Sequence, residues 1–368
     1  ADFVSILEKL WWKLDRALTP EGVRTSAMVC LVDAIRHGTT TLFDHHASPG
    51  CTDGSLDIIA DAVKRCGVRA CLCYEVSDRN GPDETDAGIR ENIRFLERCR
   101  RQPDPFLAGS FGLHASLTLS DRTLKRCREA AEGYGCGFHV HAAEDAADQV
   151  HSKNTCGMRV IERFHTHGLL GGRSILAHCV HVDEKEMQLI RDSGAFVTHQ
   201  PRSNMNNAVG TAPVDALLAR NIPVCMGNDG FSNNMWAEWK AAYLVHKLIH
   251  RDPRKIQGFD VITMAVDNTR KLAGAFWPEQ TIGRLVPGAA ADLILVDYHP
   301  FTSITSGNYP WHILFGFETD MVHSTMVAGQ WLMRDRRLTF LDEATIFEEA
   351  AEIAGVIWDR FKEVSRHS

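Results

Sequence analysis

Several side chains in this sequence have the types and spacing that hydrolysis at a metal needs. His141 and Glu144 lie in GFHVHAAED, Gly137–Asp145. A neutral imidazole is a good ligand for zinc or iron. A carboxylate a few residues on can move protons between a metal-bound water and a substrate nitrogen. Asp229, in CMGNDG, can ligate a metal or take a proton from its water. His178 closes ILAH, with His181 in the loop beyond. His199 opens HQPRSNMNN, whose Arg202, Ser203, Asn204, Asn206 and Asn207 suit hydrogen bonds to a polar substrate. His114, in FGLHAS, can donate to a substrate carbonyl or phosphate. Taken singly, each has an ordinary reading as a packed core histidine or a turn residue. Together they recur at the ends of successive apolar strands, which bare core packing does not explain.

The elements that must position these residues alternate. Strands are expected at Thr39–Asp44, Val68–Glu75, Phe106–His114, Gly137–Ala142, Ser174–His178, Ala195–His199 and Ile222–Asp229. Helices are expected over Thr19–His37, Leu56–Cys66, Ala87–Arg101, Asp121–Glu132, Asp145–His165, Asp183–Ser193 and Pro213–Arg220, then Trp236–His250 and Phe259–Leu272. Near-continuous apolar strands between helices imply a parallel sheet covered by helices. Polar groups at every strand end (Asp44, Glu75, His114, His141, His178, His199, Asp229) favour a (β/α)8 TIM-like barrel over a doubly wound sheet. Alternation puts His139 and His141 on one face, Phe138 and Val140 on the other. After about residue 277 the pattern changes to short strands with Gly and Pro turns, Thr281–Asp297 and Met321–Asp335, part of a small β-sandwich. The expected division is a barrel over 1–277, the sandwich part over 278–340 and a terminal helix over 341–368.

The bulk numbers exclude little but agree. The 368 residues are 44% hydrophobic and 24% charged, enough for one large core and a satellite domain. A formal charge of −7, with no basic tract, suggests neither nucleic acid nor a membrane surface. No apolar run approaches the roughly 18 residues of a spanning helix. Residues 1–20 read as an amphipathic helix rather than a signal peptide, and Trp11 and Trp12 can bury against the barrel or against a second copy. Eleven scattered cysteines with no CxxC pair suit a reduced cytoplasmic protein. His246 and His250 share a helix face, but Lys-Leu-Ile between them gives no HExxH, so a core or surface role is expected there.

HxxE at His141–Glu144, AHCVH at Ala177–His181, HQPRSN at His199–Asn204 and GNDG at Gly227–Gly230 resemble the amidohydrolase superfamily. The likeness is to its cytosine/guanine deaminase, S-adenosylhomocysteine deaminase and chlorohydrolase branch, and within it to the aminohydrolases called SsnA. WWKLDRALT, TTLFDHHAS, CLCYEVSDRNG and FGLHASLTLSD carry it further, across essentially the whole chain. The resemblance implies a metal-dependent aminohydrolase. A metal-bound hydroxide would attack the amine-bearing carbon of a purine-, pyrimidine- or triazine-like heterocycle. It implies His141, His178 and Asp229 as metal ligands and Glu144, His178 and Asp229 as the catalytic groups. His114, His199 and Asn204 would face the substrate. No lysine accompanies His114, which implies one divalent ion, zinc or else iron, and a homodimer is common among such proteins. The superfamily also places an HxH pair at the end of a first strand, after part of a β-sandwich. Neither lies upstream of Thr39, so the expectation is seven strands in an N-terminally incomplete chain. His45 and His46 are adjacent, point to opposite faces and are not expected to replace that pair. Two other readings keep the barrel: a chlorohydrolase or amide hydrolase using the same site, and a catalytically dead scaffold lacking the HxH ligands.

Overall fold

In a computed structural model, residues 2–366 are described. Eight parallel strands form the central layer: β1 (Thr41–Phe43), β2 (Arg69–Leu72), β3 (Leu107–Gly109), β4 (Phe111–Ala115), β5 (Phe138–Ala142), β6 (Ile175–His178), β7 (Phe196–His199) and β8 (Val224–Met226). They pair as β1-β2-β3 and as β4-β5-β6-β7-β8. The run expected over Phe106–His114 is interrupted at Ser110, whose amide bonds Leu72 O while Phe111 N bonds Gly137 O. One stretch of chain therefore serves two partner strands. Among the described residues β8 and β1 are not hydrogen-bonded to each other, so the array is open at that seam.

The helices between strands form as their punctuation dictates. Thr19 caps Pro20–Arg36 by accepting from Gly22 N, with Pro20 in the first turn. Gly67 ends Ser55–Cys66 in a left-handed conformation. The long span expected from Asp145 divides into Ala146–Cys156 and Val160–Thr166, because Gly157 stops the first helix at φ 69°. Phe138, Val140, Leu176, Val197 and Val224 face the helices and form the main core. Phe43 and Cys225 lie on the other face of the array and pack against Phe276, with Trp277 also against Phe43. Gly137 enters β5 where a Cβ would lie 1.8 Å from Arg173 O, so only glycine lets β5 lie this close to the chain entering β6.

The C-terminal strands β9 (Leu293–Val296), β10 (Val322–Val327), β11 (Gln330–Arg334) and β12 (Arg337–Leu338) form an antiparallel sheet in the order β12-β11-β10-β9. Helix Glu343–Arg366 follows it. Arg69 on β2 ties this region to the array: its guanidinium pairs with Asp292, and its Nε donates to Gln280 Oε1 at 3.1 Å. The two charged side chains are 1% and 2% exposed. Removing one partner of such a pair strands the other charge. Arg69→Ala should therefore lose about 3–5 kcal/mol of stability in urea unfolding. A change within about 0.5 kcal/mol would show that the pair is not a fastening point.

The N-terminal segment is helical, as Phe3–Ile6, a π-turn over Leu7–Trp11, and Trp12–Ala17. Phe3 packs with Val180 and Val209 beyond β6 and β7. Trp12 stands edge-on to His114 at 6.1 Å, so this segment lies across the strand C-termini. No described helix is long and apolar enough to cross a membrane.

Candidate active site

Strand β5 delivers His141 to the face expected from alternation. Its Nδ1–H donates to His114 O at 2.8 Å, which leaves the Nε2 lone pair available to a metal. His178 reaches the same region by a different route. Alternation along β6 would send it with Leu176 to the helix side. His178 and Cys179 instead have φ of 72° and 50°, and this left-handed turn brings His178 Nε2 within 3.4 Å of Glu144 Oε2 and 3.9 Å of Asp229 Oδ2. Ala143, just before Glu144, and Asp229 itself are also left-handed, at φ 50° and 52°. Non-glycine residues in this region cost about 1–3 kcal/mol each, and their clustering here is a mark of a site the fold pays to hold.

The second layer fixes orientation. His178 Nδ1–H donates to Asn204 Oδ1 at 2.8 Å, and its backbone N–H to Gln200 Oε1 at 3.1 Å. Ser203 Oγ–H donates to Asp229 Oδ2 at 2.6 Å. Asp148 accepts from Leu117 N and Ala143 N, joining the ends of β4 and β5. Burial pushes the Glu144 carboxyl up to about 7, with the Asp229 charge adding to the rise against the opposing pull of His141. Asp229 is held below the usual carboxylate range: burial acts upward, but His178, Ser203 and His141 outweigh it. Two carboxylates a few ångströms apart thus carry opposite proton preferences, the separation that acid–base division of labour needs.

The donor atoms gather in two groups of three. Glu144, His178 and Asp229 place ligand atoms within 4.8 Å of one another, and so do His45, Glu75 and His141. The groups meet where the His141 and His178 rings stack at 5.7 Å. His45 and Glu75 are the residues that sequence reasoning passed over. His45 and His46 do diverge: His46 turns to Ser48 and Tyr74, while His45 follows Phe43 inward, to 4.7 Å from the His141 ring. Glu75 was legible only as one polar strand end among seven. His139 lies deeper, against His45 and Cys73.

The expected substrate-facing residues separate. His114 is buried beside His141 with Nδ1 against Thr118 Oγ1 at 2.6 Å. Asn204 is 1% exposed and holds His178, so it positions a site residue and does not line the mouth. His199 is a correction. It shares the parity of Val197, faces the helices, and sets Nε2 at 3.3 Å from His246 Nε2. Helix Met235–His250 supplies that partner, so His246 has a packing role. His181 ties down its loop through Val209 O.

Burial, then the neighbouring His250, pushes His246 down to about 4 from an ordinary 6.5. A depressed imidazole contributes stability that is fully present above pH 6.5 and lost as pH falls toward 4. His246→Phe removes that loss. Its stability relative to the parent protein should therefore improve by about 2 kcal/mol between pH 7 and 4.5 in urea unfolding. A pH-independent difference would contradict a buried neutral imidazole at this position.

A profile of the amidohydrolase family matches residues 2–332. A 5'-deoxyadenosine deaminase of Methanosarcina mazei is 31% identical over 95% of this chain and 79% of its own length. A 5-methylthioadenosine/S-adenosylhomocysteine deaminase of Desulfitobacterium hafniense is 29% identical over 93% of this chain and 77% of its own. Among solved structures, a zinc-bound adenosine deaminase from Xanthomonas campestris superposes with a TM-score of 0.86, at 23% identity, over 99% of this chain and 81% of that one.

Proposed function

Because the chain belongs to the amidohydrolase family, we propose that it is a zinc-dependent deaminase of purine nucleosides. The observation that carries the reading is the meeting of Glu144, His178 and Asp229 at the ends of β5, β6 and β8, with His141 stacked alongside. Two neutral imidazoles with fixed tautomers and one ionised carboxylate form a donor set that suits zinc. His141, His178 and Asp229 would hold the ion. When bound, it supplies a water whose pKa is lowered from 15.7 toward about 7.

The chain's own groups do the rest. Asp229, held ionised, takes a proton from the attacking water. Glu144, retaining a proton near neutrality, gives it to a ring nitrogen of the substrate and recovers one from the newly added hydroxyl. The proton taken up by Asp229 passes to the amine, which leaves as ammonia. Asn204, by accepting from His178 Nδ1–H, fixes the tautomer and orientation in which His178 Nε2 would face the ion. His114 donates to the ring, with Trp12 closing over it. Counting β3 and β4 as one strand broken at Ser110, we read the open array as strands two to eight of a (β/α)8 barrel over 1–277, whose catalytic groups come from the C-terminal ends of several strands. The relatives' names point to nucleosides with a 5'-deoxy or 5'-thio end.

The test is direct. Zinc-loaded protein incubated with 5'-deoxyadenosine should release one ammonia per inosine-type product. Absence of ammonia from 5'-deoxyadenosine, adenosine and 5'-methylthioadenosine alike would overturn the purine assignment.

A further inference from the structure

Helix Ala146–Cys156 begins two residues after Glu144, and Asp148 lies in its first turn. The Asp148 carboxylate reaches out of that helix to two other segments. Its Oδ2 accepts from Ala143 N at 3.1 Å and its Oδ1 from Leu117 N at 2.9 Å. The side chain is 2% exposed, so water hardly competes for either bond.

The two amides belong to the turns that carry two of the proposed reacting groups. Ala143 immediately precedes Glu144 and holds φ at 50°, which an alanine adopts only where its surroundings impose it. Both of its backbone polar groups are engaged: the N–H donates to Asp148, and the carbonyl accepts from His181 N at 3.0 Å. Leu117 lies in the turn Ser116–Thr118, which follows β4. Thr118 Oγ1 of that turn meets His114 Nδ1. The buried Arg163 holds the same turn from its carbonyl side, donating to Ser116 O at 2.7 Å and Leu119 O at 2.6 Å.

We propose that Asp148 is a positioning residue for the reaction: by bridging these turns it sets Glu144 and His114 at the spacing that one heterocycle requires. The proposal rests on the deaminase reading and adds a residue to it.

The carboxylate suits this task by its shape. Two N–H groups converge on it from different segments, and a side chain with two acceptor oxygens in one plane satisfies both. A helix carries it, which places it more firmly than a loop would. Without the bond to its N–H, Ala143 is free to relax to negative φ, and the chain beyond it, Glu144 first, swings with that rotation. A displacement of about 1 Å at a reacting group costs about 10²-fold in rate. Asp148 acts through backbone amides, so its effect falls on placement and not on proton transfer.

The decisive variant is Asp148→Asn. The amide keeps one acceptor oxygen and sets an N–H donor where the other stood. Whichever way it turns, one backbone N–H then faces another donor and the bridge opens. On zinc-loaded protein with 5'-deoxyadenosine, kcat per bound zinc should fall by about 10–100-fold. KM should change by less than about threefold, and zinc per chain should stay at the parent's value. If Asp148→Asn does not fold, a matched pair decides. Asp148→Glu keeps both acceptors on a stem one methylene longer, and Asp148→Gln keeps one, so kcat should be about tenfold higher for Asp148→Glu. A lowered urea midpoint with kcat per bound zinc unchanged, or equal kcat for the matched pair, would reduce Asp148 to a packing role and leave the deaminase reading intact. No turnover of 5'-deoxyadenosine, adenosine or 5'-methylthioadenosine by the parent protein would remove that reading and this proposal with it.

Discussion

Glu144→Gln should lower kcat by about 10²–10⁴-fold while the protein keeps its metal and its stability. The substitution nearly preserves volume and replaces the titratable carboxyl by an amide that cannot deliver or take a proton near neutral pH. Glu144 is 8% exposed, and Asn207 Nδ2 donates weakly to Oε1 at 3.4 Å. A glutamine there can still accept that bond, and loss of a buried carboxyl that resists ionisation does not strand a charge. Metal content, measured by elemental analysis, should be unchanged because the proposed ligands are His141, His178 and Asp229. KM should change less than kcat, since proton transfer belongs to the transition state. Retained deamination would exclude Glu144 as the shuttle. Loss of metal would instead make it a ligand, a role that its place within 4.8 Å of His178 and Asp229 makes geometrically open.

Removal of the metal should abolish turnover altogether, and stoichiometric zinc should restore it. No described side chain can substitute for the lowering of the water pKa by roughly nine units that a divalent ion supplies. Metal binding should also raise the unfolding midpoint, by RT ln(1 + [L]/Kd) in free energy, about 4 kcal/mol at a thousandfold excess over Kd. His178→Ala should remove most of that thermal shift, because it deletes the imidazole that joins Glu144 to Asp229. Turnover undiminished after exhaustive chelation, with metal confirmed absent, would contradict the mechanism.

His45 and Glu75 illustrate how far sequence reasoning reached. Adjacency correctly separates His45 from His46, because neighbours on a strand face opposite ways. It does not say which of the two turns inward. That choice follows from Phe43, two residues earlier, which packs among Phe276 and Trp277 inside the array. His199 errs for the complementary reason. It ends its strand as His178 does, but it keeps the parity of Val197 and goes to the helices. Only the positive φ at His178 breaks the same parity on β6, and nothing in ILAHCVH announces a left-handed histidine.

The sequence by itself determined the alternation of helix and strand and the polar strand ends, among them His141 and Asp229, the residues proposed as metal ligands. These rest on local periodicity, caps and turn chemistry, which act over a few residues. It also determined the donor chemistry, because imidazole and carboxylate carry their preferences wherever they stand. The tertiary structure decided which donors meet. It broke one expected strand at Ser110 to serve two neighbours, turned His178 back toward Glu144, made Asn204 a support for His178, and drew Asp15 from the N-terminal helix onto Arg79. It also raised Glu144 to about 7, a consequence of burial among residues far apart in sequence. Contacts of that kind depend on where backbone twist, left-handed turns and packing carry each side chain, and no local pattern encodes them.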